Sequence, residues 1–287
     1  MNHRRYLTRT NINATIRYVI LIAVGFILAY PLFWMIGSSF KHNIDIFGNM
    51  AILPPAGRWT FEHFPAAWQL TPRNNMLFYF LNTMRFLIPR VIGTVISCTV
   101  TAYAIARFSF PGKKIVFGIV LVTLLMPELA FRIPIFMLYR DIGLIDTFAA
   151  LYIQDFFGVN SFFVFMIIQF MRTIPRELDE AAHIDGCDPL RTLISILVPI
   201  LRPIIITVGL LTFMWGMNDF QGPLIFLRSP DNRVLAQALR GLLSEYEVTH
   251  FGQIFAGAFM GLIPTLAIFF ACSRYFVEGV ARSGGKE

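Results

Sequence analysis

The sequence predicts an all-α membrane protein with about six transmembrane helices. Of its 287 residues, 56% are hydrophobic and only 14% charged, where a soluble domain carries roughly a quarter charged residues. The apolar residues come in runs of 18 or more, the length a helix needs to cross a hydrocarbon core about 30 Å thick. In lipid every backbone polar group must be bonded inside the protein. These runs are too long for barrel strands, so helices remain.

The runs fall at roughly 18–40, 78–106, 115–139, 149–171, 193–216 and 251–277. The first follows Arg4, Arg5, Arg9 and Arg17, as in a signal peptide. It is too long for a signal core and no small-residue cleavage site follows, so it is read as a retained helix. Prolines interrupt several runs: Pro31, Pro89, Pro127, Pro134, Pro199, Pro203 and Pro264. Membrane helices tolerate them, and such kinks let helices splay around a cavity. With no low-complexity linker and no defensible repeat, residues 1–287 read as a single transmembrane domain.

The net charge of +7 could signal a nucleic-acid partner. The better account is that Lys and Arg collect on the cytoplasmic side of membrane proteins. With the N-terminus inside, the inner segments hold thirteen such residues, among them Arg107, Lys113, Lys114, Arg172, Arg176 and Arg191. The outer segments hold Lys41, Arg58, Arg73, Arg140, Arg228, Arg233 and Arg240 over more residues. Both termini are therefore expected in the cytoplasm. The outer connections, about 41–77 and 217–250, include Trp59, Phe61, Phe64 and Trp68. These aromatics suit either the headgroup layer or a docked partner. Cys98, Cys187 and Cys272 lie far apart without metal-ligand spacing.

The most informative stretch is Pro175–Pro203, between the fourth and fifth runs. Pro175 suits a first helical turn, and Glu177, Asp179 and Glu180 follow where the helix dipole favours negative charge. Gly186 fits the left-handed position that ends a helix. Asp188 and Pro189 make an N-cap and first-turn pair for a second helix. The pattern predicts a short cytoplasmic helix, a glycine corner and a helix entering the membrane. Such an object can seat in a cleft of another protein, where small Ala181 and Ala182 would allow close approach. It can equally be a well-capped loop.

Glu180-Ala181-Ala182, Gly186, Ile196 and Pro199 resemble the "EAA" loop of permease subunits in bacterial ATP-binding-cassette (ABC) importers, with Val198 where leucine is usual. The resemblance spans nearly the whole chain and is nearest to the carbohydrate branch, the maltose-permease-like second subunit. It includes Asn82-Thr83, Ala102-Tyr103-Ala104, Phe110-Pro111-Gly112-Lys113, Ile133-Pro134 and Asn218-Asp219-Phe220. Met217 stands where tryptophan is usual, with Trp215 two residues earlier. The tail from Gly279 to Lys286 resembles the short glycine-containing C-terminus of these subunits.

The resemblance implies a type I importer bundle in the bacterial cytoplasmic membrane, with residues 175–192 as the coupling loop. Glu180, Ala181, Ala182, Asp185 and Gly186 would meet an ATPase subunit. The implied partners are a homologous second permease, two P-loop ATPase subunits and an extracytoplasmic solute-binding protein, besides membrane lipid. ATP and Mg would be bound by the ATPase subunits, with no cofactor in this chain.

Ionisable groups inside spanning segments are costly and count as functional candidates. Arg85, Arg90, Glu128, Arg132, Asp155 and Arg202 qualify. Glu128 and Arg132, four residues apart, can pair on one helix face. They either line a polar translocation cavity or fasten helices. Asn82, Asn218 and Asp219 are the other substrate-pathway candidates, and each could instead be a cap. Several outer arginines would suit an acidic oligosaccharide.

No G-x-x-x-x-G-K-[ST] and no HExxH occurs, so neither ATP hydrolysis nor another catalytic activity is expected of this chain. The rival reading is an ion-driven secondary transporter, which predicts inverted repeats and broken helices. An ABC permease for glycerol phosphate-type solutes is a further alternative.

Overall fold

The structure, a computed structural model, describes residues 3–48, 50–243 and 250–284. In chain order the helices are α1 (His3–Ser38), α2 (Asn43–Gly48), α3 (His63–Trp68), α4 (Met76–Arg107), α5 (Lys113–Leu125) and α6 (Leu129–Asp141). They continue with α7 (Ser161–Met171), α8 (Glu177–Ile184), the single turn α9 (Pro189–Arg191) and α10 (Val198–Met217). The last are α11 (Gln221–Phe226), α12 (Leu235–Arg240) and α13 (Phe251–Gly284). Among the described residues the one β feature is a lone bridge between Lys41 and Trp59.

Among the described residues five helical runs are long and apolar enough to cross a membrane, and a sixth span results if α5 and α6 count as one. The chain forms two compact units, Met1–Pro72 with Gly241–Met260 and Arg73–Arg240 with Gly261–Glu287.

In the first unit, α1 exposes most of its apolar residues. Lys41, counted among the outer charges, is fully buried. Its Nζ donates to the Ala51 carbonyl at 2.5 Å. Burial holds its pKa below the ordinary lysine value, against the opposing pull of Asp45. Trp59, Phe61 and Trp68 are exposed, and Phe40 packs its ring against Trp59, Phe61 and Phe64.

The second unit is built on α4, α7 and α10. Cys98 and Ala102 of α4, Phe163 and Ile167 of α7, and Leu201, Ile204 and Val208 of α10 are buried in one core. Two segments depart from the expected single helices. Over 115–139 the chain makes α5 and α6, bent by 106°. Pro127 disfavours helical backbone at the residue before it, and Met126 is extended, φ −82° and ψ 135°.

Over 149–171 only the second part is α-helix. The first part forms two 3₁₀ helices, Phe148–Leu151 and Ile153–Phe157. Gly158 then turns left-handed at φ 65°, with its α-carbon so close to Thr101 that a side chain would collide. The Asn160 side chain caps α7 by accepting from the Phe163 amide. The expected helix over 193–216 lies within a longer run, Pro189–Met217, in which Thr192–Leu197 is π-helical. Of the resembling tail, Gly285 and Lys286 lie outside the described residues.

Candidate functional site

Two groups of residues in the second unit bear on function, one at each end of α10. At the first end, α8 carries Glu177, Asp179 and Glu180 in its opening turns. It stops at Gly186, left-handed at φ 77°. The Asp188 carboxylate then caps the next helix by accepting from the Arg191 amide at 2.8 Å, and Pro189 takes the first helical position.

The segment is fastened to the bundle by polar links. Arg107, the last residue of α4, places Nε 3.1 Å from Asp179 Oδ2 and donates to the Ile174 carbonyl at 3.1 Å. The Tyr103 hydroxyl donates to the Pro189 carbonyl at 3.2 Å. α8 packs on the π-helical stretch.

Glu180, Ala181, Asp185 and Gly186 are exposed. Ala182 is different: at 3% exposure it faces the chain's own interior. The expectation that both alanines offer surface to a partner is therefore corrected for Ala182, because the helix needs a small side chain where it meets its own bundle. The outward face instead adds Leu178 and Ile184, the latter 84% exposed.

At the other end of α10, charged side chains from distant parts of the chain converge. Arg90 of α4 donates to Asp219 at 3.1 Å and lies 3.6 Å from Asp155. Asp155 accepts from the Thr94 hydroxyl at 3.2 Å. Asp219 also accepts from the Gly222 amide at 2.9 Å. Gly222 is wedged between Asp219 and Arg132, whose Nη1 lies 3.3 Å from where a Cβ would stand. Arg132 in turn donates to Glu128 at 2.7 Å. Glu128 lies within the 115–139 run and pairs with Arg132 as expected. It stands at the N-terminus of α6, beside the 106° bend, with its side chain 77% exposed.

The cluster holds two guanidiniums against three carboxylates, and both arginines are already paired. Among the described residues, Arg90 Nε and Arg132 Nε are buried without a hydrogen-bond acceptor, as expected of donors placed for charge neutralisation more than for ideal geometry.

The structure thus brings together Glu128, Arg132 and Asp219. Asn218 sits beside them but is exposed and donates to its own helix at Met214. Asn82 is corrected: it is fully buried and donates to the carbonyls of Asp231 at 2.7 Å and Arg233 at 2.9 Å. Its amide anchors a loop and touches no open space. Arg90 and Asp155 were visible in the sequence as charges in apolar runs, though not as members of the substrate pathway. Their partnership with Asp219 needs the fold.

A neighbouring staple was not foreseen. Asp146, left-handed at φ 65°, accepts from the Arg228 and Ser229 amides at 2.9 Å each, from the Ser229 hydroxyl and from the Asn232 side chain. Burial works to raise its pKa, but the bonds from Ser229, Arg228 and Asn232 outweigh it and hold the carboxyl well below the usual range.

Comparison with known proteins places this architecture. The family described as binding-protein-dependent transport system inner membrane component matches residues 93–280. The chain is 27% identical over 286 residues to the galactooligosaccharides transport system permease protein GanQ of Bacillus subtilis, covering 100% of this chain and 98% of that one. It is 28% identical over 284 residues to the maltodextrin transport system permease protein MdxG of the same organism, covering 97% and 98%. Its fold matches a crystal structure of a bacterial ABC transporter involved in the import of the acidic polysaccharide alginate, with TM-score 0.78, 20% identity and coverage of 93% and 97%. With the multi-pass helical bundle described above, these matches show that the chain belongs to the binding-protein-dependent transport system inner membrane components.

Proposed function

We propose that the chain is one of two channel-forming subunits of an ABC importer for a carbohydrate, working in the bacterial cytoplasmic membrane with both termini in the cytoplasm. A second permease, two P-loop ATPase subunits that bind ATP and Mg, and an external solute-binding protein complete the assembly. The observation that carries this reading is the capped α8–Gly186–α9 segment. It presents Glu180, Ala181 and Ile184 outward from a bundle whose family serves binding-protein-dependent transport.

A helix of this kind can seat in a cleft of an ATPase subunit. Its motion has a mechanical route. Arg107–Asp179 and Tyr103–Pro189 tie the segment to α4. From Pro189 an unbroken helical run of 29 residues, about 43 Å at α-helical rise, leads to Asp219. Closure of the ATPase pair would move α8, and α10 would carry the displacement to the Arg90–Asp155–Asp219 cluster. That cluster would then open and close the substrate route. Carbohydrate as substrate class is supported by the relatives named for galactooligosaccharides and maltodextrin. Because Arg90 and Arg132 are paired with carboxylates, the cluster favours a hydroxyl-rich neutral sugar over an acidic one.

The test is mass spectrometry of the complex purified gently in detergent through a tag on this chain. The expected result is co-purification of a second permease and a P-loop ATPase, with Gly186→Glu losing the ATPase alone. A chain that purifies by itself with transport intact overturns the proposal.

A further inference from the structure

Where α4 and α7 end, they leave with the start of α8 a cleft of about 430 Å³, lined among others by Ala106, Arg107, Arg172, Ile174, Arg176 and Glu177. Two apolar spans end beside it, one at Arg107 and another at Met171, so the cleft lies at the polar ends of those spans.

Its three guanidiniums are not equivalent. Arg107, with 8% of its side chain exposed, is engaged by Asp179. Arg172 lays its guanidinium over the Phe117 ring at 5.1 Å. Arg176 makes one long bond, 3.4 Å, to the Ala106 carbonyl. Arg172 and Arg176 are both exposed, and each keeps donors for a further acceptor. Glu177 is the one carboxylate in the lining. The first turn of α8 also carries Asp179, engaged by Arg107, and Glu180.

The same helix α4 carries exposed apolar surface. Ile92, Ile96 and Val100 are 49%, 57% and 48% exposed. Four-residue spacing puts them along one face of α4, and Arg107 follows seven residues after Val100 on that same face. A cleft with two available guanidiniums at the end of an apolar span, on the helix that also carries an exposed apolar stripe, matches an amphiphile with an anionic head.

We propose that the cleft binds the phosphate of an anionic phospholipid headgroup, held by Arg172 and Arg176, with the acyl chains running along the α4 stripe. Basic pockets between spanning helices are suited to such headgroups. The proposal rests on the membrane bundle and not on the identity of the transported solute. A free phosphate ion shares the chemistry of the head but has no use for the stripe.

The test uses the intact complex, stripped of lipid in detergent and titrated with phosphatidylglycerol, phosphatidylcholine or inorganic phosphate, with bound lipid counted by native mass spectrometry. Phosphatidylglycerol is expected to bind and phosphatidylcholine to bind at least about tenfold more weakly, given the surface contribution of each arginine. R172Q/R176Q should weaken phosphatidylglycerol about tenfold to thirtyfold. R172K/R176K, which keeps the charge, should retain it. R228Q/R233Q, with equal charge loss elsewhere, should leave it unchanged. Four results overturn the proposal: equal binding of the two lipids, no effect of R172Q/R176Q, an equal loss in R228Q/R233Q, or displacement of phosphatidylglycerol by inorganic phosphate.

Discussion

Arg107 closes α4 with its guanidinium 3.1 Å from the Asp179 carboxylate of α8, the two side chains being 8% and 22% exposed. Removing one partner leaves a largely buried charge uncompensated, which costs more than removing both. Arg107→Gln should destabilise the protein by about 3 kcal/mol. The double variant R107Q/D179N should recover more than half of that loss. Thermal unfolding of the purified complex reads both, and equal destabilisation of single and double variants would show that the pair is not coupled.

Gly186 combines a left-handed backbone with open surroundings: a Cβ there meets nothing within 4 Å. Gly186→Ala should therefore cost only about 1–2 kcal/mol of backbone strain, with assembly kept. Gly186→Glu should bear the same strain and in addition block the docking face. ATPase co-purification separates the two, and equal loss in both variants would assign the effect to strain alone.

Asp219 does two jobs, accepting from Arg90 and from the Gly222 amide. Asp219→Asn keeps an oxygen for Gly222 but removes the charge. Asp219→Ala removes both. Uptake should fall in each, and the melting temperature should drop further in the alanine variant, by the equivalent of about 1 kcal/mol for the lost amide bond. Matching melting curves would contradict the dual role.

Asn82 is fully buried and bonded to two loop carbonyls. Asn82→Leu should cost about 2–4 kcal/mol, because the Asp231 and Arg233 carbonyls lose their donors. The sugar preference of whatever transport remains should be unchanged. A variant of normal stability with altered selectivity would return Asn82 to the substrate route.

The Asp146 staple has a pH signature. Its folded pKa is depressed, so its contribution is full above the unfolded value of about 3.9 and fades only as pH falls towards the lower folded value. Hydrogen exchange at the Arg228 and Ser229 amides, corrected for intrinsic rates, should show the same protection at about pH 7 and about pH 5. Asp146→Ala should lose it at both. Protection that disappears by about pH 5 in the unaltered protein would show that the carboxyl is not held charged.

What could be read in the sequence was local. The capping of α9 by Asp188, the left-handed Gly186 and the acidic first turn of α8 all depend on neighbours a few residues away. The Glu128–Arg132 pair depends on a single helical turn. The break at Pro127 was visible as a residue, yet nothing local distinguishes a tolerated kink from a 106° bend. That difference is set by what α6 can pack against, namely Phe226 beside Phe136 and Tyr139. Arg90, Asp155 and Asp219 are separated by more than sixty residues in each step. Their meeting follows from how α4 and α10 pack, which Gly216 permits by sitting directly against Leu87.

The 25-residue span of α1 has none of its most apolar window buried within the chain, against 44% for α4. Substitution tolerance should therefore differ sharply between these two apolar helices. In α4 an altered shape disturbs the interior. Over the exposed stretch of α1 any residue that lipid accepts leaves this chain's own packing untouched, so whatever constrains that stretch comes from the bilayer or from another subunit; only the end of the helix, where Trp34 meets Phe47 and Phe255 and Gly37 sits against Ile52, answers to this chain.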